Sequence, residues 1–143
     1  LNVDPDFIIK NWTYFPIVSG MAGTPGNAIH VSNALTAIYL ATGQDTACVA
    51  ENSIGHFTIE KVDDGITWRL TLPSLTVGTV GGGTRLNQQQ QNLQLLGCDN
   101  GDKHTSRKLA EIIAGAALGL EISLGSAIMS HTWTSAHMKY GRK

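Results

Sequence analysis

Charge is scarce in this chain. Only 15% of its 143 residues are Asp, Glu, Lys or Arg, and ten basic against eleven acidic side chains leave a formal net charge of −1. A balance so close to neutral gives no electrostatic case for nucleic acid or an acidic membrane surface as a partner. The one tight basic group, Lys103, Arg107 and Lys108, has the spacing of a solvated helix end. Cysteine is limited to Cys48 and Cys98, far apart and with no CxxC pair. That excludes a disulfide framework and a thiolate zinc site, and reduced, partly buried thiols are expected. No histidine pair stands at metal-ligand spacing with a carboxylate or cysteine, so no metal site is expected. GxGxxG, a Walker lysine and a GxSxG elbow are all missing, which removes the dinucleotide fingerprint, the P-loop and the hydrolase nucleophile. No apolar run of bilayer length is uninterrupted. The longest apolar region, Leu109 to Met129, carries Glu111 and Glu121 and is expected as a pair of buried helices. Asp4, Asp6 and Lys10 break up the opening residues, so no signal peptide is expected there.

What is present reads as one globular domain, with 42% apolar residues. Residues 1–16 are aromatic-rich, with Phe7, Trp12, Tyr14 and Phe15, but show no clean period. Residues 19–27 form a small-residue turn. From Ala28 to Ala41 the apolar residues recur almost all round, which predicts a helix central to the fold. Gly43 stops it, and Gln44-Asp45 follow. Two strand-like runs, 56–60 and 67–72, flank the turn Asp63-Asp64-Gly65. A short amphipathic helix over 87–96 ends at Gly97, and Thr105-Ser106 is expected to cap a helix that turns Leu109, Ile112, Ile113, Ala116, Ala117 and Leu118 inward. A second helical run, 121–133, and an uncapped basic tail complete the chain. Strands followed by helices, without βαβ alternation, argue for an α+β fold: a helix-rich domain with a central apolar helix and a small antiparallel strand pair.

Three stretches could carry chemistry. Asp45 lies just beyond a helix C-terminus, whose dipole repels an anion, so a cation or proton donor is expected to compensate it. The glycine segment 78–84, with Gly81, Gly82 and Gly83 in a row, is either a plain tight turn or a backbone cradle for a phosphate or amide. His137 is a histidine able to deliver a proton to a leaving group. His30 and Asn33 share one helix face. Asp45, the glycine segment and residues 135–139 are expected to meet in one cleft.

Several of these segments together resemble hydroxymethylglutaryl-CoA reductase. The run His30 to Asp45, ending in Thr42-Gly43-Gln44-Asp45, is similar to the family's helix leading to its catalytic aspartate. Pro73-Ser74 with Gly78-Thr79-Val80-Gly81-Gly82-Gly83-Thr84 resembles its glycine segment. Leu109-Ala110 with Glu121-Ile122-Ser123-Leu124 looks like its penultimate helices, and Ala136-His137-Met138-Lys139-Tyr140 with Arg142 like the end of its catalytic domain. Order and spacing match from about Met21 onward, so residues 1–143 are expected to be a C-terminal portion of that catalytic domain, within its large, substrate-binding part.

The resemblance implies an NADPH-dependent reduction of hydroxymethylglutaryl-CoA to mevalonate and CoA. It gives catalytic roles to Asp45 and His137, His137 protonating the expelled thiolate. It puts His30 and Asn33 in the substrate pocket, and Gly81, Gly82 and Arg142 near the nicotinamide cofactor. It also implies a homo-oligomer, dimer or tetramer, with the active site between subunits. Eukaryotic members are anchored in the endoplasmic reticulum by N-terminal spans; otherwise the protein is cytoplasmic. The family's catalytic glutamate and lysine, and its main cofactor motif, match nothing in this chain, so the chain alone is expected to be inactive. The sequence departs from the family around Gly26-Asn27-Ala28-Ile29, at Thr46-Ala47-Cys48-Val49 and at Leu120 and Gly141. A different reading is a degenerate, non-catalytic homologue that acts only by subunit association. A third is an unrelated phosphate-binding module built on the glycine segment.

Overall fold

The computed structural model describes residues 3–99 and 101–141. Its first element, α1, spans Pro5–Trp12, where the sequence shows no period. Local chemistry nonetheless fixes its start. Asp4 is the N-cap and accepts the Asp6 N–H at 2.8 Å, Pro5 fills the first helical position, and Lys10 faces the negative end of the dipole. Ile8 and Trp12, one turn apart, are its buried residues. A second short helix, α2, covers Phe15–Met21, so only the latter part of the expected turn over 19–27 is irregular. The helix buries nothing among the described residues, and Tyr14, Ile17, Val18 and Met21 stand outward.

The central helix α3 spans Val31–Thr42. It ends as expected: Gly43 takes the left-handed conformation at φ 70°, and its N–H returns to the Tyr39 carbonyl. A 3-10 turn, Thr46–Cys48, leads into the single turn α4, Val49–Asn52. Strands β1 (His56–Val62) and β2 (Gly65–Thr71) pair antiparallel with Val62 opposite Gly65, so Asp63-Asp64 is a two-residue hairpin loop. A 3-10 turn over Gly82–Arg85 precedes α5, Asn87–Leu95, which closes on left-handed Gly97.

The expected pair of helices over 109–133 is one helix. α6 runs unbroken from Thr105 to Met129. Glu121 does not divide it, because Leu109, Ile113, Ala117, Glu121 and Gly125, each four residues on, form one buried stripe. Length and composition would let this helix cross a bilayer, yet that stripe is the seam along which it packs into the fold. The expected Thr105-Ser106 cap is absent; His104 is the N-cap without a side-chain bond, and the Thr105 hydroxyl meets that of Thr79 at 2.7 Å. The tail is also helical: α7 covers Trp133–Ala136, and a π turn continues through His137–Gly141.

Two cores result. Val31, Ala34, Leu35 and Tyr39 of α3 meet Leu93 of α5, Cys98, and Leu109, Ile113 and Ala117 of α6. A smaller aromatic cluster joins α1 to the hairpin: Trp12 lies 4.9 Å from Phe15 and 5.0 Å from Phe57, and Phe57 lies 5.6 Å from Trp68. The two cores share α6, since Gly125 lies against Trp12. The fold is α+β, with the helix-rich body and small antiparallel pair that the sequence indicates. Cys48 is half-buried, Cys98 is buried, and both are free thiols.

Candidate functional site

The N-terminal end of α3 forms one wall of a cleft of about 430 Å³. Ile29, His30 and Asn33 line this wall, Ser123, Leu124 and Ala127 of α6 form the floor, and Trp133 and His137 close the far side. His30 and Asn33 thus share a face, as their spacing predicts, and the structure adds His137 to it. His137 is held by its own helical turn. Its Nδ1 lies 2.9 Å from the Trp133 carbonyl, and its ring centroid lies 4.2 Å from the Trp133 ring. A carbonyl only accepts, so Nδ1 carries the hydrogen and Nε2 is the nitrogen left to take up or release a proton. His30 lacks such an anchor, its Nδ1 being buried without a hydrogen-bond partner among the described residues.

Beneath this wall lies a residue whose role the sequence did not disclose. Glu121 is fully buried, and its carboxylate accepts three backbone N–H groups at the start of α3. Ile29 donates to Oε2 at 3.1 Å, while His30 and Val31 donate to Oε1 at 2.5 and 3.0 Å. These are donors that a helix start leaves without intrahelical partners, and an anion there also meets the positive end of the dipole. The signal available in the sequence was the one charged residue of the apolar stretch 112–129.

The other expected residues gather at the opposite end of α3. Gly43 and Gly83 touch backbone to backbone: a Cβ built on Gly43 would lie 2.3 Å from the Gly83 carbonyl oxygen. Gln44 ties the same two segments together, its amide accepting the Gly78 N–H and donating to the Gly78 carbonyl, both at 2.8 Å. Gln44 therefore works like one residue of a strand, another role the sequence did not reveal. Tyr39 and Asn52 hold the segment before it. The Tyr39 hydroxyl donates to the Thr76 carbonyl at 2.8 Å and accepts from Asn52 at 2.7 Å. Burial raises the Tyr39 pKa, and the Asn52 hydrogen bond offsets this in part.

The three glycines divide by role. Gly83 is required for packing. Gly81 at φ 86° and Gly82 at φ 53° would meet nothing within 4 Å if they carried a Cβ, so backbone conformation alone calls for glycine there. Beside them, Thr79, Thr84, Arg85, Gln90 and Asp99 line a polar cleft of about 440 Å³. Arg142 lies outside the described residues.

Of the cation or proton donor expected to compensate Asp45, the described residues supply the donor: it is the N-cap of the Thr46–Cys48 turn, accepting the Ala47 N–H at 3.0 Å. The carboxylate that would be misplaced at the end of α3 is thus well placed at the start of the next turn. The expected single cleft is not formed among the described residues of one copy. Asp45 and the glycine segment lie at one end of α3 and His137 at the other, about 18 Å apart along a helix of this length.

Asp45 also sets the chemistry of Cys48. Partial burial raises the Cys48 thiol pKa first, followed by the carboxylates of Asp45 and Glu51. At pH 8 the thiolate fraction is therefore below that of a free cysteine. Iodoacetamide should modify Cys48 more slowly than it modifies a model thiol, and Asp45→Asn should speed the reaction. An unchanged rate in that variant would show that the Asp45 carboxylate does not face the thiol.

Comparison with known proteins agrees with the segment pattern. The family model described as hydroxymethylglutaryl-coenzyme A reductase matches residues 2–142. The chain is 41% identical to a 3-hydroxy-3-methylglutaryl-coenzyme A reductase of Methanocaldococcus jannaschii, over 94% of this chain and 32% of that protein. It is 47% identical to reductase 2 of Gossypium hirsutum, over 87% of this chain and 21% of that protein. It is 45% identical to the Aeropyrum pernix reductase, over 87% and 30% respectively. The chain therefore spans between about a fifth and a third of the length of these relatives.

Proposed function

The chain belongs to the hydroxymethylglutaryl-coenzyme A reductase family, and on that premise we propose that it supplies part of the active site of an NADPH-dependent reductase converting hydroxymethylglutaryl-CoA to mevalonate and CoA. One observation carries this reading: the cleft that unites His30, Asn33 and His137 from separate parts of the chain. The two imidazoles and the carboxamide offer hydrogen bonds to the polar acyl end of a thioester. Leu124, Ala127 and Ile128 give the cleft an apolar side. With Nδ1–H on the Trp133 carbonyl, His137 would act as an imidazolium, its second proton at Nε2 passing to the departing thiolate sulfur. Losing such a general acid costs roughly 10²–10⁴ in rate.

NADPH would supply the hydride. Gly81 and Gly82 fit an approaching phosphate-bearing ligand, since both are exposed and unobstructed, and Arg85 lines the adjoining cleft. Arg142 belongs to the same proposal. Asp45 serves as a catalytic carboxylate at that end. Because His137 and Asp45 lie at opposite ends of α3, the proposal places a complete site between copies of the chain, in a dimer or tetramer. No Lys, Arg, Asp or Glu is among the described residues lining the His30–His137 cleft, so it offers a developing oxyanion neutral donors but no charged partner. The isolated chain is accordingly expected to be inactive. In a eukaryotic protein of this kind the site would face the cytoplasm from the endoplasmic reticulum membrane.

The test mixes the purified chain, NADPH and hydroxymethylglutaryl-CoA, following cofactor oxidation and, separately, binding heat. No turnover above background is expected, together with saturable thioester binding that Asn33→Ala weakens. Turnover would overturn the expected inactivity, and a folded chain that binds no thioester would overturn the reading of the cleft. One observation favours the non-catalytic reading, in which the chain only associates with other subunits: the outward apolar row of Tyr14, just before α2, and Ile17, Val18 and Met21 on it. Concentration-dependent self-association without thioester binding would support it.

A further inference from the structure

Glu121 takes no part in the chemistry proposed above, and it lines neither of the two clefts at the ends of α3. A carboxylate with no solvent exposure is costly to bury, and it persists only where hydrogen bonds offset its lost hydration. All three bonds found for it go to consecutive backbone N–H groups of Ile29, His30 and Val31, and two of these residues, Ile29 and His30, form the cleft wall.

The contrast between the two histidines gives these bonds a purpose. His137 is fixed through its own ring, by the bond to the Trp133 carbonyl and by stacking on Trp133. His30 has a buried Nδ1 with no partner among the described residues, so its ring is placed by the backbone that carries it. That backbone is held to α6 by Glu121. The same helix carries Ser123, Leu124 and Ala127 into the cleft within the next two turns.

We infer that Glu121 is the positioning residue of this cleft. It sets the His30–Asn33 wall at a fixed distance from the α6 floor and from His137, and so acts on ligand affinity through His30 rather than by contact. This inference rests on the reading of the cleft as a thioester site, and its test separates the two.

Glu121→Ala removes both acceptor oxygens and with them all three bonds. Glu121→Gln can keep its amide oxygen at the Oε1 position, retaining the His30 and Val31 bonds while its NH2 replaces the acceptor of Ile29 with a second donor. If the wall is correctly placed only a tenth of the time in the alanine variant, the apparent Kd for hydroxymethylglutaryl-CoA rises about tenfold. The expected pattern is that loss in Glu121→Ala, measured by calorimetry below its unfolding midpoint, with affinity close to wild type in Glu121→Gln. Equal affinity in all three folded proteins would overturn the inference, even if Glu121→Ala melted earlier. If the wild-type chain bound no thioester, the cleft reading would fail and amide exchange would decide the positioning role. Faster exchange at residues 29–31 with displaced His30 and Asn33 side-chain resonances, and unmoved His137 resonances, would uphold it. Unchanged resonances at His30 and Asn33 would overturn it.

Discussion

Replacing Gly43 by alanine is expected to cost about 4 kcal/mol, a large share of the stability of a single domain. Two costs add. A left-handed residue with a Cβ is disfavoured by about 1–2 kcal/mol, and Gly43 sits at φ 70°. The new methyl would also lie 2.3 Å from the Gly83 carbonyl oxygen and 2.8 Å from the Thr84 nitrogen. Both are backbone atoms of a segment that Gln44, Tyr39 and Asn52 hold in place, so they cannot move aside freely. Overpacking of this kind adds about 1–3 kcal/mol. Gly82→Ala is the control. It carries a comparable conformational penalty at φ 53° but meets nothing within 4 Å, so it should lose only the smaller amount. Thermal unfolding followed by circular dichroism reads both, and a melting point for Gly43→Ala no lower than that for Gly82→Ala would refute the close approach.

The second large effect is expected at Asn27. Its side chain behaves as a missing strand, donating from Nδ2 to the Phe57 carbonyl and accepting the Phe57 N–H at Oδ1, both at 2.8 Å. Its own N–H adds a bond to the Gly55 carbonyl at 3.0 Å. Asn27→Ala leaves both outward backbone groups of a fully buried strand residue without partners. At about 1–3 kcal/mol for each orphaned group, the loss should reach about 3–4 kcal/mol. Asn27→Asp should do no better, because one carboxylate oxygen would face the Phe57 carbonyl with no hydrogen between them. Urea denaturation should show the midpoint falling with the slope unchanged. A midpoint that does not move in either variant would mean that the amide is not the partner of β1.

How much of this could be read in advance depended on whether a signal was local. The apolar run 28–41, found as a helix over 31–42 with its glycine stop, the hairpin around Asp63-Asp64 and the Gly97 ending of α5 are set by neighbours in sequence, and each lies close to where it is expected. The start of α1 was also local, in Asp4 and Pro5, but the aromatic crowding of residues 7–15 hid a helix that buries only Ile8 and Trp12. Non-local partners hide Glu121 and the place of His137, whereas Asp45 has a local one. Glu121 looked like a break between helices because its three donors lie about ninety residues earlier. Asp45 looked misplaced because it was judged against the helix behind it rather than the turn ahead. The grouping of His30 with Asn33 followed from helix geometry, whereas the arrival of His137 depended on how α6 and the tail pack, which no spacing rule reports.

The unbroken course of α6 has a mechanical consequence. At 25 residues it is a rod about 37 Å long. Leu109, Ile113 and Ala117 lock its near portion into the main core, and Glu121 grips the start of α3 one turn further on. Sliding or rolling the rod by one register would unseat those side chains and sever all three Glu121 bonds together. Intermediate gap widths between His30 and His137 therefore have little to stabilise them. The width of the cleft is thus tied to the register in which α6 seats against α3.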